Sequence, residues 1–304
     1  MTQLYESFSL YMKDYPCEIL AEEPLKNHCS FKIGGPAEVL FIPKNEKALI
    51  AAIRYCNENG VRLTILGNGS NVLISDAGLR GVVAKLMGGL CDLIYLGDNV
   101  IAAGAGVSLK KVCVLAKEKS LTGLEFAYGI PGSVGGAVYM NAGAYGGELK
   151  NVLLSVRSVS LDDGSVKETP IDDMEFAYRN TPFMKNRRVV TAAYFRLEPG
   201  DPEAIAARMN ELMAKRKASQ PLEYPSAGST FKRPKAGYAA AHIDQCGLKG
   251  YRVGGAEVSK KHAGFVLNVD NATFADVKTL MADVQKTVLE KDGVLLEPEV
   301  EILE

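Results

Sequence analysis

Two runs of small residues could do chemistry with their backbone. One is Gly67-Asn68-Gly69-Ser70-Asn71. The other begins Gly129-Ile130-Pro131-Gly132-Ser133-Val134-Gly135-Gly136 and continues to Asn141-Ala142-Gly143-Ala144-Tyr145-Gly146-Gly147. Without Cβ atoms in the way, backbone N–H groups in such runs can converge on an anion, and a pyrophosphate suits them. A single run would read equally well as an ordinary loop. Two runs in one stretch of chain, each flanked by apolar segments, favour phosphate binding. The nucleotide is not of the usual kinds. Gly67-x-Gly69-x-x-Val72 lacks the third glycine and is followed by a strand pattern, so it fails as a Rossmann fingerprint. No GxxxxGK[ST] run exists for a P-loop. The physics stops at a dinucleotide-type loop system of another fold. His28, His242 and His262 show no i,i+4 pairing, and the six cysteines form no CxxC pair. We therefore expect no metal site and reduced, buried thiols.

These loops need elements to hold them. Ala48, Leu49, Ala52, Ile53 and Cys56 recur at helical spacing between a capping Asn45 and a terminating Gly60. Strands are expected at 61–66 and 71–75, and a hairpin at 93–103 turning at Gly97-Asp98-Asn99. Ser108 caps a helix bearing Leu109, Val112, Cys113 and Ala116. A second hairpin spans 152–169 and turns at Asp163-Gly164, and a strand follows at 188–197. Pro199-Gly200-Asp201-Pro202 then breaks the chain. Asp201 and Pro202 open a helix with Ile205, Met209, Leu212 and Met213 on one face and a basic last turn, Lys215-Arg216-Lys217. Thr273, with Asp276 in capping-box position, starts the longest amphipathic helix, which Gly293 ends. A closing strand is expected over 294–303. Hairpins this frequent exclude a purely parallel sheet, and the class is α+β. Two domains are expected, 33–198 for the cofactor and 201–304 for the substrate, the last strand (294–304) packing back on the first.

The whole chain has 304 residues, 35 Lys and Arg against 36 Asp and Glu, and 47% hydrophobic residues. That balance argues against a surface that coats nucleic acid, so an anionic ligand must meet a local basic cluster. The first residues lack a basic region followed by an apolar run, and no stretch nears the ~18 apolar residues that span a bilayer. We expect a cytoplasmic protein with no signal peptide, no membrane or nucleic-acid partner and no obligate protein partner.

Six segments in order resemble one family: Leu66–Ile74 (LGNGSNVLI), Gly129–Gly147 (GIPGSVGGAVYMNAGAYGG), Tyr178-Arg179, Pro225–Pro234 (PSAGSTFKRP), Gly247–His262 (GLKGYRVGGAEVSKKH) and Leu296–Val300 (LEPEV). The set is similar to the UDP-N-acetylenolpyruvoylglucosamine reductases and covers nearly the whole chain. The resemblance implies an FAD-binding fold of the vanillyl-alcohol oxidase, or PCMH, type with a C-terminal α+β substrate-binding domain. It implies non-covalent FAD, NADPH as reductant, and UDP-N-acetylglucosamine enolpyruvate as substrate in peptidoglycan precursor synthesis. The short stretch from Arg179 to Arg188, with Phe183 as its one aromatic, resembles the family's shorter class. The implied cofactor-binding residues are Gly67, Asn68, Gly69, Ser70, Asn71, Gly129, Ile130, Pro131, Gly132, Val134, Gly135, Gly136, Asn141 and Gly143.

Three positions match the family's catalytic residues: Arg179, Ser229 and the second glutamate of LEPEV, Glu299. Read without the resemblance, they are a hairpin cation, a turn residue beside Gly228 and a solvated strand residue. Read with it, Arg179 stabilises negative charge, Ser229 is a general acid, and Glu299, hydrogen-bonded in a buried setting, stabilises the same enol-like species. Tyr178, Lys217 and Arg233 are the expected substrate contacts. Lys217 has an alternative as a solvated helix end favoured by the macrodipole, and at Arg233 the chain departs from relatives with asparagine. The rivals to the reductase are an oxidase of the same cofactor fold and a catalytically silent nucleotide-sugar-binding protein.

Overall fold

The computed structural model describes residues 2–304. It contains seven α-helices among them: α1 (Gln3–Tyr11), α2 (Glu46–Glu58), α3 (Leu109–Glu118), α4 (Val134–Tyr139), α5 (Pro202–Ser219), α6 (Ala239–Gln245) and α7 (Phe274–Asp292). Local signals explain where several begin. Asn45 accepts the Ala48 N–H at 2.9 Å, Ser108 accepts that of Lys111, and Thr273 and Asp276 form both halves of a capping box. Gly60 and Gly293, at φ +63° and +68°, stand just past α2 and α7, where a left-handed residue closes a helix without penalty.

The chain forms two compact units, and neither is continuous. The first comprises the residues up to Glu22, Glu38–Asn68 and Arg80–Lys215. One of its sheets runs in the order Cys17–Pro24, Pro36–Pro43, Leu79–Lys85, Leu63–Leu66, the last two pairing in parallel. Phe8 of α1 and Leu49, Ile53 and Cys56 of α2 share a buried cluster with Val39, Phe41 and Val82 of these strands. Burying a leucine or isoleucine this fully stabilises by about 1.5–3 kcal/mol. A second, wholly antiparallel sheet has the order Val166–Pro170, Leu153–Ser160, Arg188–Arg196, Val100–Gly104, Leu93–Gly97. The last two strands turn at Asp98 and Asn99, both at positive φ, which matches the strand twist. Helices α3, α4 and α5 contribute to the core on this sheet.

The second unit comprises Glu23–Ala37, Gly69–Leu79 and Arg216–Glu304. Its antiparallel sheet has the order Ser226–Ser229, Phe265–Asn268, Ala256–Val258, Arg252–Val253. Val277, Leu280, Met281, Val284 and Val288 form the buried stripe of α7. The remote segments join by side chains: Ser30 donates to Ser226 O at 2.6 Å, Asn268 to Phe31 O at 3.2 Å, and Asp76 accepts the Phe274 N–H at 2.8 Å.

The α+β class holds. The expected boundaries, 33–198 and 201–304, differ from the units. Ile205, Met209 and Leu212 of α5 belong to the core of the first unit, so the division falls at Lys215/Arg216 instead. The closing strand is also shorter than expected. Only Glu301–Leu303 pairs as a strand, in parallel with Val72–Ile74 of the second unit. Pro298 has no N–H to give a ladder, and 297–300 instead makes isolated backbone bonds to 230–232.

Candidate functional site

In the first unit the two glycine segments lie side by side. The Asn68 amide donates to Pro131 O at 2.5 Å, and a Cβ on Gly67 would stand 2.6 Å from Ser133 Oγ. That same Oγ accepts the Gly136 N–H at the start of α4. Gly135 donates to Ala105 O at 2.9 Å, and its Cβ would overlap that of Ala105 at 2.8 Å. So Gly67 and Gly135 are glycines because the chain packs against them. Gly132 and Gly136 differ. A Cβ there would meet nothing nearer than 3.8 Å and 3.5 Å respectively, and neither has a positive φ. Neither neighbours nor backbone angle require glycine at these two positions. Val134 is fully buried, and Gly129 and Ile130 are half-buried beside this loop.

Farther along, Asn141 is buried and its side chain is committed internally. Its amide donates to Glu148 Oε2 at 2.9 Å and Ala177 O at 3.2 Å, and its oxygen accepts the Lys150 N–H. Gly143 sits in a two-stranded hairpin, where a Cβ would meet Gly147 O at 2.6 Å. Arg179 lies close by: its guanidinium donates to Asn141 O at 3.4 Å. It occupies a tight turn in which Ala177 and Asn180 exchange backbone hydrogen bonds, and its φ is +50°. A non-glycine residue held left-handed stores strain that its surroundings must impose. The Tyr178 ring is exposed and lies 5.1 Å from the guanidinium. After the turn, Phe183 is buried in the core.

In the second unit, Gly69 to Asn71 leads toward the C-terminal motif. Gly69 O accepts the Ser30 N–H, and the Asn71 amide donates to Glu299 O at 3.0 Å. Ser70 lies half-buried between them. Ser229 pairs with Phe265 at the end of its strand and is exposed. Thr230 then brings Glu299 alongside, because its carbonyl accepts the Glu299 N–H at 2.8 Å. Two residues distant in sequence thus become backbone neighbours, with Glu299 half-buried. His262 packs edge-on to Phe265 at 5.0 Å and accepts the Gly264 N–H on Nδ1. Burial lowers its pKa. Lys217 is exposed in the last turn of α5, and its carbonyl accepts from Lys261 Nζ at 2.7 Å. Arg233 lies over the Tyr238 ring at 3.9 Å.

A UDP-N-acetylenolpyruvoylglucosamine reductase from Caldanaerobacter subterraneus subsp. tengcongensis is 47% identical over 286 residues, covering 94% of each chain. Reductase 2 of Bacillus cereus strain ATCC 10987 is 46% identical over 303 residues, covering 100% of this chain and 98% of its own. The chain belongs to this reductase family. The family model for the C-terminal domain of UDP-N-acetylenolpyruvoylglucosamine reductase matches residues 220–303, and one for an FAD binding domain matches 37–170. The solved reductase of Thermus caldophilus superposes with a TM-score of 0.80 at 33% identity, over 95% of this chain and 100% of that one. The FAD-binding match spans both glycine segments and four of the five strands of the antiparallel sheet, Arg188–Arg196 lying beyond it, while the reductase match spans Ser229, Arg233 and Glu299. Lys217 lies just ahead of the latter. Among the described residues no cluster of His, Cys, Asp and Glu could hold a metal ion, and no helix is long and apolar enough to cross a membrane.

Proposed function

We propose that this chain is the FAD-containing, NADPH-dependent reductase that converts UDP-N-acetylglucosamine enolpyruvate to UDP-N-acetylmuramate in peptidoglycan precursor synthesis, in the cytoplasm. The observation that carries it is full-length similarity, 47% over 94% of both chains, to reductases of that name. The residues fit the cofactor. Gly132 and Gly136 are glycines that the protein's own packing does not require, beside a loop where Gly67 and Ser133 are in close approach. A pyrophosphate laid against that backbone supplies the missing reason. Gly67, Asn68, Gly129, Ile130, Pro131, Gly132, Val134, Gly135 and Gly136 are the residues we assign to the FAD-binding loops, Gly67, Val134 and Gly135 by packing that shapes them, with Gly69, Ser70 and Asn71 continuing the first loop. Asn141 and Gly143 act by shaping the turn under Arg179.

When bound, the flavin carries a hydride from NADPH to the methylene carbon of the enolpyruvyl group. As that C–H bond forms, the π electrons move onto the neighbouring carbon and its carboxylate. The Arg179 guanidinium, held by Asn141 O and by its own strained turn, meets that charge without reorganising. The Ser229 hydroxyl, exposed at a strand end, gives its proton to the carbanionic carbon and regains one from solvent. Glu299, fixed through its backbone to Thr230, stabilises the enol-like species beside that hydroxyl. Tyr178, Lys217 and Arg233 bind the nucleotide sugar, the two cations meeting its diphosphate. The test is anaerobic stopped-flow reoxidation of the NADPH-reduced enzyme by the enolpyruvyl sugar. Rapid recovery of oxidised flavin absorbance is expected, and no recovery would remove the assignment.

A further inference from the structure

The loop Lys232–Tyr238 carries Arg233 and leads into α6. Its ends are tied by backbone bonds: Lys232 N–H to Glu297 O at 2.8 Å, and Ala241 N–H to Tyr238 O at 2.9 Å. Its middle is gripped by one side chain, His242 of α6. The ring contacts Ala236 O through Nε2, and its Nδ1 lies 2.5 Å from Asp292 Oδ2 at the end of α7. The ring is 15% exposed and the Asp292 side chain 32%, so both contacts sit at the rim of the protein.

Both partners are acceptors. A neutral imidazole has one N–H and can satisfy one of them, whereas the imidazolium has two and satisfies both. Other charges around the ring are engaged elsewhere or lie outside hydrogen-bond contact with it. On α6, Asp244 pairs with Lys249 at 2.6 Å. On α7, Lys291 donates to Cys246 O at 3.2 Å. On the loop, Arg233 stacks on Tyr238, and Lys235 is exposed. The carbonyl of Ala236 and then the Asp292 carboxylate raise the pKa of His242 above its ordinary 6.5.

We propose that protonated His242 is a positioning residue, pinning Ala236 to α7 so that the loop presents Arg233 to the diphosphate of the nucleotide sugar. This rests on the substrate reading given under Proposed function. As pH rises through the raised pKa, the ring loses one proton. The remaining N–H stays with Asp292, since a bare nitrogen lone pair facing a carboxylate is worse than one facing a carbonyl. Ala236 is then released, so substrate affinity falls toward alkaline pH.

The experiment follows KM for the enolpyruvyl sugar from about pH 5.5 to about 8.5, a range centred on histidine titration. It uses the holoenzyme of wild type, His242→Ala and Asp292→Asn, with NADPH reduction measured alongside. In wild type KM should rise about three- to tenfold, the net scale of one hydrogen bond, while kcat moves little. In His242→Ala it should be high and flat. In Asp292→Asn, where the histidine loses its carboxylate, the rise should move to lower pH. The Gly237 amide resonance, followed without substrate, should titrate with the wild-type inflection. Superimposable KM profiles for wild type and Asp292→Asn, or a Gly237 signal indifferent to pH, would overturn the clamp. If wild type fails to turn over the sugar at every pH, the substrate reading falls instead, and the Gly237 titration alone decides the clamp.

Discussion

Ser229 presents an exposed hydroxyl one residue from the carbonyl that fixes Glu299, and that adjacency separates the two half-reactions. Flavin reduction by NADPH needs no acid at the substrate's carbon. Reduction of the enolpyruvyl group does. Ser229→Ala should therefore leave the first half-reaction near wild type and slow the second by roughly 10³–10⁴-fold, the upper range for a lost general acid. Cysteine at this position, with a donor of similar reach, should recover part of the rate. Single-turnover stopped flow reads both steps separately. Reoxidation of the alanine variant within about tenfold of wild type would assign the proton to another group.

The glycine loops allow a sharper division, because the structure separates glycines that pack from glycines that do not. Gly135→Val would drive a side chain into Ala105, overlapping from the Cβ outward, and should cost about 1–3 kcal/mol of stability as overpacking. Gly132→Ala meets nothing nearer than 3.8 Å. It should leave the apoprotein's Tm almost unchanged and weaken FAD retention, read by flavin fluorescence after dialysis. Unchanged FAD affinity in a folded Gly132→Ala protein would take that position out of the cofactor loop. Elsewhere, α2 is tied to the hairpin sheet by Glu46, which accepts from Arg157 at 2.8 and 2.9 Å and from Thr191 at 2.7 Å. Burial pushes the Glu46 pKa up, but these hydrogen bonds and the Arg157 charge outweigh it and hold the carboxyl below its ordinary 4.5. A depressed carboxyl contributes fully above that value and loses its contribution as pH falls through the folded value. Because Arg157 is 39% exposed, solvent screening limits the effect to about 1 kcal/mol. Glu46→Gln should lower denaturant stability by that amount near neutrality, and the gap should close below pH 4.5. A gap that persists in acid would mean that the ion pair is not its source.

Each unit is assembled from three stretches of chain, so neither folds from one uninterrupted length of sequence. Closing contacts between such remote stretches is entropically slow but stabilises little less once made. The FAD-binding domain contains no His or Cys in either glycine segment, 67–71 or 129–147, through which a flavin could be tethered. The purified holoprotein should therefore be yellow, and acid precipitation should release intact FAD to the supernatant. Colour that stays with the precipitated chain would demonstrate a covalent link.

Helices α2, α3 and α7 were legible from residue order, because their caps and apolar spacing, and for α2 and α7 a closing glycine, lie within a few residues of one another. The hairpins at Asp98-Asn99 and Asp163-Gly164 were legible for the same reason, as were the glycine runs and the motifs around Arg179, Ser229 and Glu299. Short-range signals do not say which partner an apolar stripe will choose. The stripe of α5 looked like the opening of a second domain, yet Ile205, Met209 and Leu212 complete the first unit's core. Residues 23–37 and 69–79 carried no mark of belonging with 216–304. The left-handed turn at Arg179, the pairing of Thr230 with Glu299 and the grip of His242 on Ala236 and Asp292 all depend on long-range packing. Periodicity and capping are properties of neighbours in the chain. Partner choice depends on which distant surfaces bury together, and that is settled only when the whole core closes.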